Sequence, residues 1–334
     1  MNAVQWILRN LPTRECTSVE FMYDEMDSQS GHSLPVIYQP LDVGRGSDWH
    51  DEGCVLDFAC TIGSASAVVL DFGPGDGWPS LRIAPFVQHV VGVDTSRRRI
   101  DECTRNARRL GIANADFVQV GSELELPFDD ESFDGITAAS SIEQTGDPSA
   151  TIRELYRVLR PGGRLRVSYE GLRRYRGLEE RVGWVEQFDG ASAIDLYDRE
   201  IDDERAVMVR IRTRLPADEI AGNLAVPPAG SFQLDQLSSG ALRRIEDSIT
   251  EIRVCRLAHP SGRSFRSLCR DAGFRSVEGT WNGGDIARRM FDSLLRARRP
   301  RTHAELTEYL RPVIESVIGL AAPIDRDPWI TATK

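Results

Sequence analysis

The stretch 68–77, which reads VVLDFGPGDG, constrains this chain more than any other part of its sequence. An apolar run followed by glycines at alternate positions, Gly73, Gly75 and Gly77, is typical of a buried strand that ends in a tight turn. Because glycine has no Cβ, a flat or charged ligand can approach the backbone of such a turn closely. The stretch therefore predicts a nucleoside-binding loop at the end of a strand.

The spacing of the glycines separates two classes of cofactor. Dinucleotide sites carry G-x-G-x-x-G, whose third glycine lets the following helix pack closely against the strand. Trp78 occupies that place here, which disfavours an NAD-dependent oxidoreductase. A second apolar strand, 90–94, ends in Asp94, at the distance expected for a carboxylate that holds ribose hydroxyls. The sequence therefore predicts a ribose site at Asp94.

Several downstream motifs strengthen this interpretation. A third strand is predicted at 118–121, and LPF at 126–128 is followed by SFD at 132–134. A helix that begins at Asp147 leads into RVLRPGG at 157–163. Together with the glycine loop, these motifs resemble the ubiquinone/menaquinone type of class I methyltransferases, which depend on S-adenosylmethionine (SAM). The resemblance covers roughly residues 55–171.

The resemblance implies that SAM is the cofactor, with Asp94 on the ribose. The family usually has Gly-Asp where this chain has Gly121-Ser122, so adenine contact is assigned to Ser122 or to the next residue, Glu123. Asp71 either binds the cofactor indirectly or only holds the loop. The predicted cofactor-binding residues are Asp71, Gly73, Gly75, Gly77, Asp94, Thr95, Ser122, Glu123 and Ser140.

Residues on the acceptor side are predicted at the carboxyl ends of the fourth and fifth strands, where open α/β sheets bind ligands. Glu143 and Tyr169 are the candidates, with Glu170 as an alternative to the tyrosine. The related family tends to carry Glu-His after the fourth strand, but this chain has Gln144 in place of that histidine. A plain surface or helix-capping role is equally open for each candidate.

The order of elements predicts the fold. Strands that alternate with helices indicate a parallel, doubly wound α/β sheet. The resemblance implies a seven-stranded Rossmann-like sheet of six parallel strands and a last antiparallel strand at 329–333, with an inserted hairpin and helical cover. Four segments are predicted: an N-terminal cover at 1–48, the SAM-binding core at 49–171, an inserted cover or dimerisation subdomain at 172–257, and the completion of the sheet at 258–334, with a helical insert at about 284–320.

Local patterns give more detailed expectations. Ser47 or Asp48 is expected to cap a helix, and Leu110 is expected to be the last member of a buried helical stripe that Gly111 ends. Within the insertion, residues 207–215 alternate between apolar and polar side chains, which predicts a strand whose Arg210 face is wet. Its predicted hairpin partner contains Ile194 and Leu196, joined to it around 202–204.

Composition limits the partners. A net charge of −10 opposes binding to nucleic acid. The six cysteines contain no C-x-x-C pair, and no metal site is predicted. The sequence has neither a run of about 18 apolar residues nor the layout of a signal peptide. These features predict a cytoplasmic protein that does not insert into a membrane.

The predicted function is methyl transfer from SAM to a small organic acceptor by in-line displacement. Two alternatives remain: a catalytically silent SAM-binding or interaction module, and a methyltransferase that acts on a macromolecule. The Asn/Asp-Pro-Pro-aromatic loop of nucleobase and glutamine N-methyltransferases is replaced here by Ser140-Ser141-Ile142-Glu143. The inserted hairpin serves either the substrate pocket or a homodimer.

Overall fold

The computed structural model describes residues 2–17, 20–21, 41–121, 125–168, 179–188, 191–200, 205–228, 231–258, 260, 262–323 and 328–334. The chain forms two compact units. The six-stranded unit consists of Met1–His32, Gln144–Gly146 and Arg176–Ser261, and the seven-stranded unit consists of Ser33–Glu143, Asp147–Tyr175 and Gly262–Lys334.

The described strands and helices follow in chain order. The strands are β1 (Arg14–Cys16), β2 (Val68–Phe72), β3 (His89–Asp94), β4 (Ala115–Gln119), β5 (Phe133–Ala139), β6 (Leu159–Ser168), β7 (Glu179–Phe188), β8 (Ala191–Glu200), β9 (Arg205–Thr213), β10 (Ser231–Gln233), β11 (Ile249–Ala258), β12 (Ser276–Thr280) and β13 (Trp329–Thr333). The α-helices are α1 (Ala3–Asn10), α2 (Gly46–Ile62), α3 (Ser80–Ile83), α4 (Arg97–Leu110), α5 (Pro148–Val158), α6 (Ala217–Leu224), α7 (Ser239–Ile245), α8 (Gly262–Asp271), α9 (Gly283–Ser293) and α10 (His303–Val317).

The larger sheet has the strand order β12-β13-β6-β5-β2-β3-β4. Strands β2 to β6 pair in parallel, whereas β13 runs antiparallel to both β6 and β12. The sheet therefore has six strands in one direction and one in the other, which confirms the predicted doubly wound α/β fold.

Apolar side chains cover both faces of this sheet. On one face, Ile136 and Leu165 pack with Leu155 of α5 and Phe265 of α8. On the other face, residues of β2 and β3 pack with Phe58 of α2. A parallel sheet buried on both sides explains why its central strands are nearly continuous apolar runs.

Two helix ends in this unit lie where the sequence predicts them. Asp147 caps α5 by accepting a hydrogen bond from the amide of Ala150, and Gly111 ends α4 in the left-handed conformation. Two expectations were wrong. Helix α2 begins after Arg45, which makes no side-chain capping bond, whereas Asp48 accepts from the amide of Asp42. Leu110 is 41% exposed and does not complete the buried stripe.

A buried ion pair joins α2 to the sheet. Arg166 of β6 and Asp57 of α2 are both fully buried, and two guanidinium nitrogens donate to the two carboxylate oxygens at 2.7 Å. The guanidinium also donates to the hydroxyls of Thr280 and Thr331, at 2.6 and 2.8 Å. Since these groups lie on α2, β6, β12 and β13, the pair links the two layers.

The helical insert was predicted at about 284–320, and it contains α9 and α10. Helix α9 crosses α2 at very short range, because a Cβ on Gly283 would lie 2.3 Å from the carbonyl oxygen of Gly53. Helix α10 continues through Pro312, which lies inside the helix. Within the described residues, no helix has both the length and the apolar character needed to cross a membrane.

The six-stranded unit is larger than the predicted hairpin. Its sheet has the order β1-β11-β9-β8-β7-β10, and only β1 and β11 pair in parallel. Strands β8 and β9 form the expected antiparallel pair, but the connection at 201–204 lies outside the described residues. One face of the sheet, with Ile194 and Val209, packs against Trp6 of α1 and apolar residues of α6 and α7.

The opposite face of this sheet carries buried polar side chains as well as exposed ones. Arg210, predicted on the exposed side of β9, is 4% exposed and forms an ion pair with the buried Asp195 of β8 at 2.8 Å. Its guanidinium also donates to the carbonyl of Phe21 and lies 4.6 Å from the centre of that phenyl ring. Alternation alone did not show that Arg210 is buried, whereas Arg212 on the same face is half-buried and Arg214 is exposed.

Candidate cofactor site

The glycine loop follows β2 directly. Gly73, Gly75 and Gly77 have φ angles of 73°, 59° and 113°, a region that residues with a Cβ seldom adopt. A Cβ on Gly73 would lie 2.5 Å from the Cβ of Ser141. At Gly75, by contrast, no atom of the described residues lies within 4 Å of the Cβ position. The backbone at Gly75 therefore borders open space that a ligand can occupy.

Asp71 lies on β2, two residues before the glycine loop, and is fully buried. Its carboxylate accepts hydrogen bonds from the amide and the hydroxyl of Ser80, at the start of α3, and from the hydroxyl of Thr137 on β5 at 2.8 Å. Burial raises the pKa of Asp71 to about 6, although these hydrogen bonds act in the opposite direction. These contacts are those expected of a residue that holds the loop between β5 and α3.

Asp94 ends β3 next to the loop. The amide of Gly73 donates to the carbonyl of Val93 at 2.9 Å, which places the start of the loop beside the last residues of β3. Asp94 is 4% exposed, and one of its carboxylate oxygens accepts from the amide of Ser96 at 2.9 Å. Thr95, also predicted in the site, is half-buried between these two residues. Ser96 fixes the orientation of the carboxylate at the strand end.

The chain after β5 lies against the same loop. The hydroxyl of Ser141 donates to the carbonyl of Phe72 at 2.6 Å. Ser140 has a φ of 50°, which is uncommon for a residue with a Cβ and often accompanies functional sites. Glu143 follows in a short 3-10 helix and is buried. Three other predicted residues, Ser122, Glu123 and Tyr169, lie outside the described residues.

Three carboxyl groups and the opposing charge of Arg99 lie around the loop. Asp71, Asp76 and Asp94 all act on the thiol of Cys103, whose sulfur lies 3.4 Å from the carbonyl oxygen of Gly75. Burial, followed by the charges of these carboxylates, raises the pKa of the Cys103 thiol, so the thiol stays protonated. Such a group of carboxylates favours a cofactor that carries positive charge.

Sequence reasoning did not find Ser80, Thr137 and Ser141. All three donate to groups at the end of β2, and two of them come from distant parts of the chain. One signal was available for Ser80. A buried aspartate needs hydrogen-bond donors, and the helix start after the glycine loop is the nearest source of them.

The arrangement fits a SAM-type cofactor. The loop leaves open space at Gly75, and Asp94 presents a carboxylate at the end of the adjacent strand. Among the described residues, no group of three or more histidine, cysteine, aspartate or glutamate side chains is placed to hold a metal ion.

Comparisons with known proteins agree with this geometry. Residues 70–167 match the family model described as "Methyltransferase domain". The uncharacterized methyltransferase YcgJ of Bacillus subtilis is 38% identical over 96 residues, which are 29% of this chain and 38% of that protein. A demethylmenaquinone methyltransferase of Clavibacter sepedonicus is 31% identical over 147 residues, 44% of this chain and 56% of that protein.

A third relative comes from Amycolatopsis mediterranei. Its 27-O-demethylrifamycin SV methyltransferase is 31% identical over 128 residues, 35% of this chain and 47% of that protein. The chain therefore spans between 38 and 56% of the length of these three relatives.

The strand order, the glycine loop and the terminal carboxylate of β3 define the seven-stranded unit as a class I methyltransferase fold. Residues 70–167 within it match a methyltransferase domain and are similar to ubiquinone/menaquinone methyltransferases. SAM is accordingly the cofactor of this domain.

Proposed function

We propose that this protein transfers the methyl group of SAM to a small organic acceptor. The observation that carries the proposal is the open glycine loop beside Asp94 at the carboxyl ends of β2 and β3. The names of two relatives, a demethylmenaquinone methyltransferase and a demethylrifamycin SV methyltransferase, describe enzymes that act on small molecules. This supports a small acceptor here.

The residues of the loop have separate tasks in this proposal. The backbone around Gly75 lets the cofactor approach, and Asp94 accepts hydrogen bonds from the ribose hydroxyls. Asp71 holds the loop through Ser80 and Thr137 and does not need to touch the cofactor. Bound SAM supplies a methyl group already activated by its sulfonium, so the protein's main contribution is positioning and the exclusion of water.

The cofactor assignment is tested by Asp94→Ala. Loss of a charged partner of two hydroxyls typically costs about 1.5–3 kcal/mol, so we expect the dissociation constant for SAM to rise by roughly one to two decades. Titration calorimetry measures this change. Asp116→Ala, an exposed aspartate on β4, is the matched control. Unchanged SAM affinity in a folded Asp94→Ala protein would show that Asp94 is not a cofactor ligand.

Glu143 is the proposed acceptor-side carboxylate, because it is buried and directly follows β5. If the acceptor is a hydroxyl or a protonated amine, Glu143 can accept the proton that is lost on methylation. Glu143→Gln should then lower kcat much more than it weakens SAM binding. A parallel loss of kcat and SAM affinity would assign Glu143 to the structure of the site. Tyr169 is the second candidate and can be tested with Tyr169→Phe.

The acceptor class is tested with labelled SAM and a cell extract. The extract is separated into small molecules, proteins and nucleic acids, and each fraction is incubated with the enzyme and SAM labelled in its methyl group. Label in the small-molecule fraction supports the proposal, and the Asp94→Ala protein is the control. Label chiefly in protein or nucleic acid would indicate a macromolecular acceptor, and SAM binding with no transfer would indicate a silent binding module.

The six-stranded unit has a proposed role in selecting the acceptor, with dimerisation as the alternative. Its polar sheet face carries the half-buried ring of Trp184, which lies in register with Asp195 of β8. Trp184→Ala should reduce transfer to the native acceptor while SAM affinity stays the same. The oligomeric state of the same variant, measured by sedimentation, separates the two roles.

A further inference from the structure

A second feature of the seven-stranded sheet is the polar face formed by β6, β13 and β12. In register across these strands, Arg164 lies opposite Thr333, and Thr333 lies opposite Ser276. The next row on the same face contains Arg166, Thr331 and Glu278. Strand faces in a doubly wound sheet are usually apolar because helices cover them. Here Arg166 is buried against α2 through its pair with Asp57, whereas Arg164, Ser276 and Glu278 are exposed.

A groove of about 680 Å³ lies over these rows. Its floor contains Arg164, Ser276, Glu278, Thr331 and Thr333. Its walls come from the C-terminal turn of α2 and the following loop, and from the C-terminal half of α10. All of the lining residues belong to the seven-stranded unit. The volume is sufficient for a small metabolite.

The groove is separate from the cofactor site. Arg164 pairs in register with Gly135, close to the start of β5, and the loop residues Ser64 and Ala65 precede β2. The groove thus lies toward the amino ends of the parallel strands. The glycine loop and Asp94 lie at the carboxyl ends of the same sheet. Nothing in methyl transfer at the carboxyl ends requires a polar groove at the other edge.

The charges on the floor differ in how they are neutralised. Arg166 is paired with Asp57, but Arg164 makes no ion pair with any described residue and donates only to the carbonyl of Thr61 at 3.4 Å. Glu278 likewise has neither an ion pair nor a side-chain hydrogen bond among the described residues. Among the described residues of the floor, Arg164 is therefore a cation and Glu278 an anion without an ion-pair partner, and Thr331 and Thr333 lie on the strand between them.

The wall of the groove adds two charged side chains, Arg311 and Glu315, that are held in place by their own ion pair. Arg311 of α10 pairs with Glu315 at 3.6 Å and lies 4.8 Å from the centre of the Phe86 ring. Cys60, which also lines the groove, donates to Glu315 at 3.6 Å. Burial raises the pKa of the Cys60 thiol to about 12, so it remains protonated and does not act as a nucleophile. The groove is therefore suited to reversible binding.

We propose that this groove binds a small zwitterion of the α-amino acid class. Its carboxylate is held by Arg164 with the hydroxyls of Thr333 and Ser276, and its ammonium group is held by Glu278. Arg164 and Glu278 lie two strands and two residues apart, about 12 Å between Cα atoms by standard strand spacings. Arginine and glutamate side chains are long enough for their charged groups to cover part of this distance, so adjacent carboxylate and ammonium groups of one small molecule can be held between them.

The experiment is a titration of the ¹⁵N-labelled full chain with L-alanine, followed through backbone amide chemical shifts. Saturable shifts are expected at Ser276, Thr331 and Thr333. Propionate carries only the carboxylate and ethylamine only the ammonium group, so each should bind at least about tenfold more weakly, the factor for losing one charge-assisted contact. Propionate binding as tightly as alanine, or no saturable shift with any of the three, would overturn the proposal.

Variants locate the site. Arg164→Gln and Glu278→Gln should each weaken alanine binding by roughly tenfold or more, while Arg108→Gln and Glu308→Gln, exposed residues on α4 and α10, should leave it unchanged. SAM affinity, which should be the same in all four proteins, confirms that each is folded. If Arg164→Gln does not fold, Thr333→Val tests the same row. Alanine affinity that is unaffected by the floor variants would also overturn the proposal.

Discussion

The two units each bury an arginine–aspartate pair, but the pairs are placed differently. In the seven-stranded unit, Asp57 and Arg166 connect a helix to a sheet, and both side chains are fully buried. In the six-stranded unit, Asp195 and Arg210 are neighbours on adjacent strands of one face. The first pair fixes how two layers pack, whereas the second neutralises charge within a layer. An arginine–aspartate ion pair therefore connects a helix to a sheet in one unit and two adjacent strands in the other.

The largest effect is expected at the pair between layers. Arg166→Met leaves the buried carboxylate of Asp57 unpaired, which typically costs about 3–5 kcal/mol. Urea unfolding and hydrogen exchange measure the loss, which should be concentrated in the seven-stranded unit. The double variant Asp57→Asn/Arg166→Met removes the unpaired charge and should recover part of it. A loss below about 1 kcal/mol, the range of an exposed ion pair, would contradict this interpretation.

Arg210→Met makes the corresponding change in the six-stranded unit. Burial already raises the pKa of Asp195 to about 6, so this carboxyl can take up a proton when Arg210 is lost. We expect a cost of about 3 kcal/mol near neutral pH that becomes smaller as the pH is lowered toward 5. Urea unfolding at several pH values tests this. A cost that does not depend on pH would rule out protonation of Asp195 as the compensating event.

The raised pKa of Asp71 gives a pH prediction for the cofactor loop. Its pKa is raised from 3.8 to about 6 in the folded state, so the folded protein holds this proton more tightly than the unfolded chain. The free energy of unfolding should therefore fall as the pH rises from about 4 to about 6, by at most about 3 kcal/mol from this group. Asp71→Asn should lack this component, whereas Asp235→Asn, at an exposed position of the other unit, should retain it.

The smallest effects are expected at two matched helix caps. Ser96 caps α4 next to Asp94, and Ser238 caps α7 in the six-stranded unit. Replacing either serine with alanine should cost about 1 kcal/mol of stability. SAM affinity should stay the same in both variants, because the contact of Ser96 with the carboxylate of Asp94 is made by its backbone amide, which alanine keeps. Weaker SAM binding by Ser96→Ala alone would show that the hydroxyl cap of α4 also positions Asp94.

The elements that could be predicted from the sequence are those with local causes. The strand 68–72 and its glycine loop follow from an apolar run and from backbone angles that favour glycine. The end of α4 at Gly111 has the same kind of cause. The prediction that Leu110 is buried was wrong. Hydrophobic periodicity shows which face of a helix is buried, but it does not show where along the helix the covering sheet ends.

The remaining features depend on contacts between distant residues. Cys16 of β1 contacts the carbonyl of Val254 on β11, across 238 positions of the chain. A short polar strand such as β1 has no pattern that indicates such a partner. Arg210 was placed on the wet face for a similar reason, since alternation separates two faces of a strand without showing what covers each. In the cofactor site, Thr137 was missed because its partner Asp71 is 66 positions away.

The position of β13 has a consequence for how the chain folds as it is synthesised. Among the strands that the structure describes, β12 pairs with β13 alone, and β13 lies between β12 and β6. On a ribosome, β12 emerges before this neighbour, with α9 and α10 following in between. The backbone of β12 therefore lacks strand pairing until residues 329–333 are available, so this edge of the sheet is assembled late, after the strands that carry the glycine loop and Asp94.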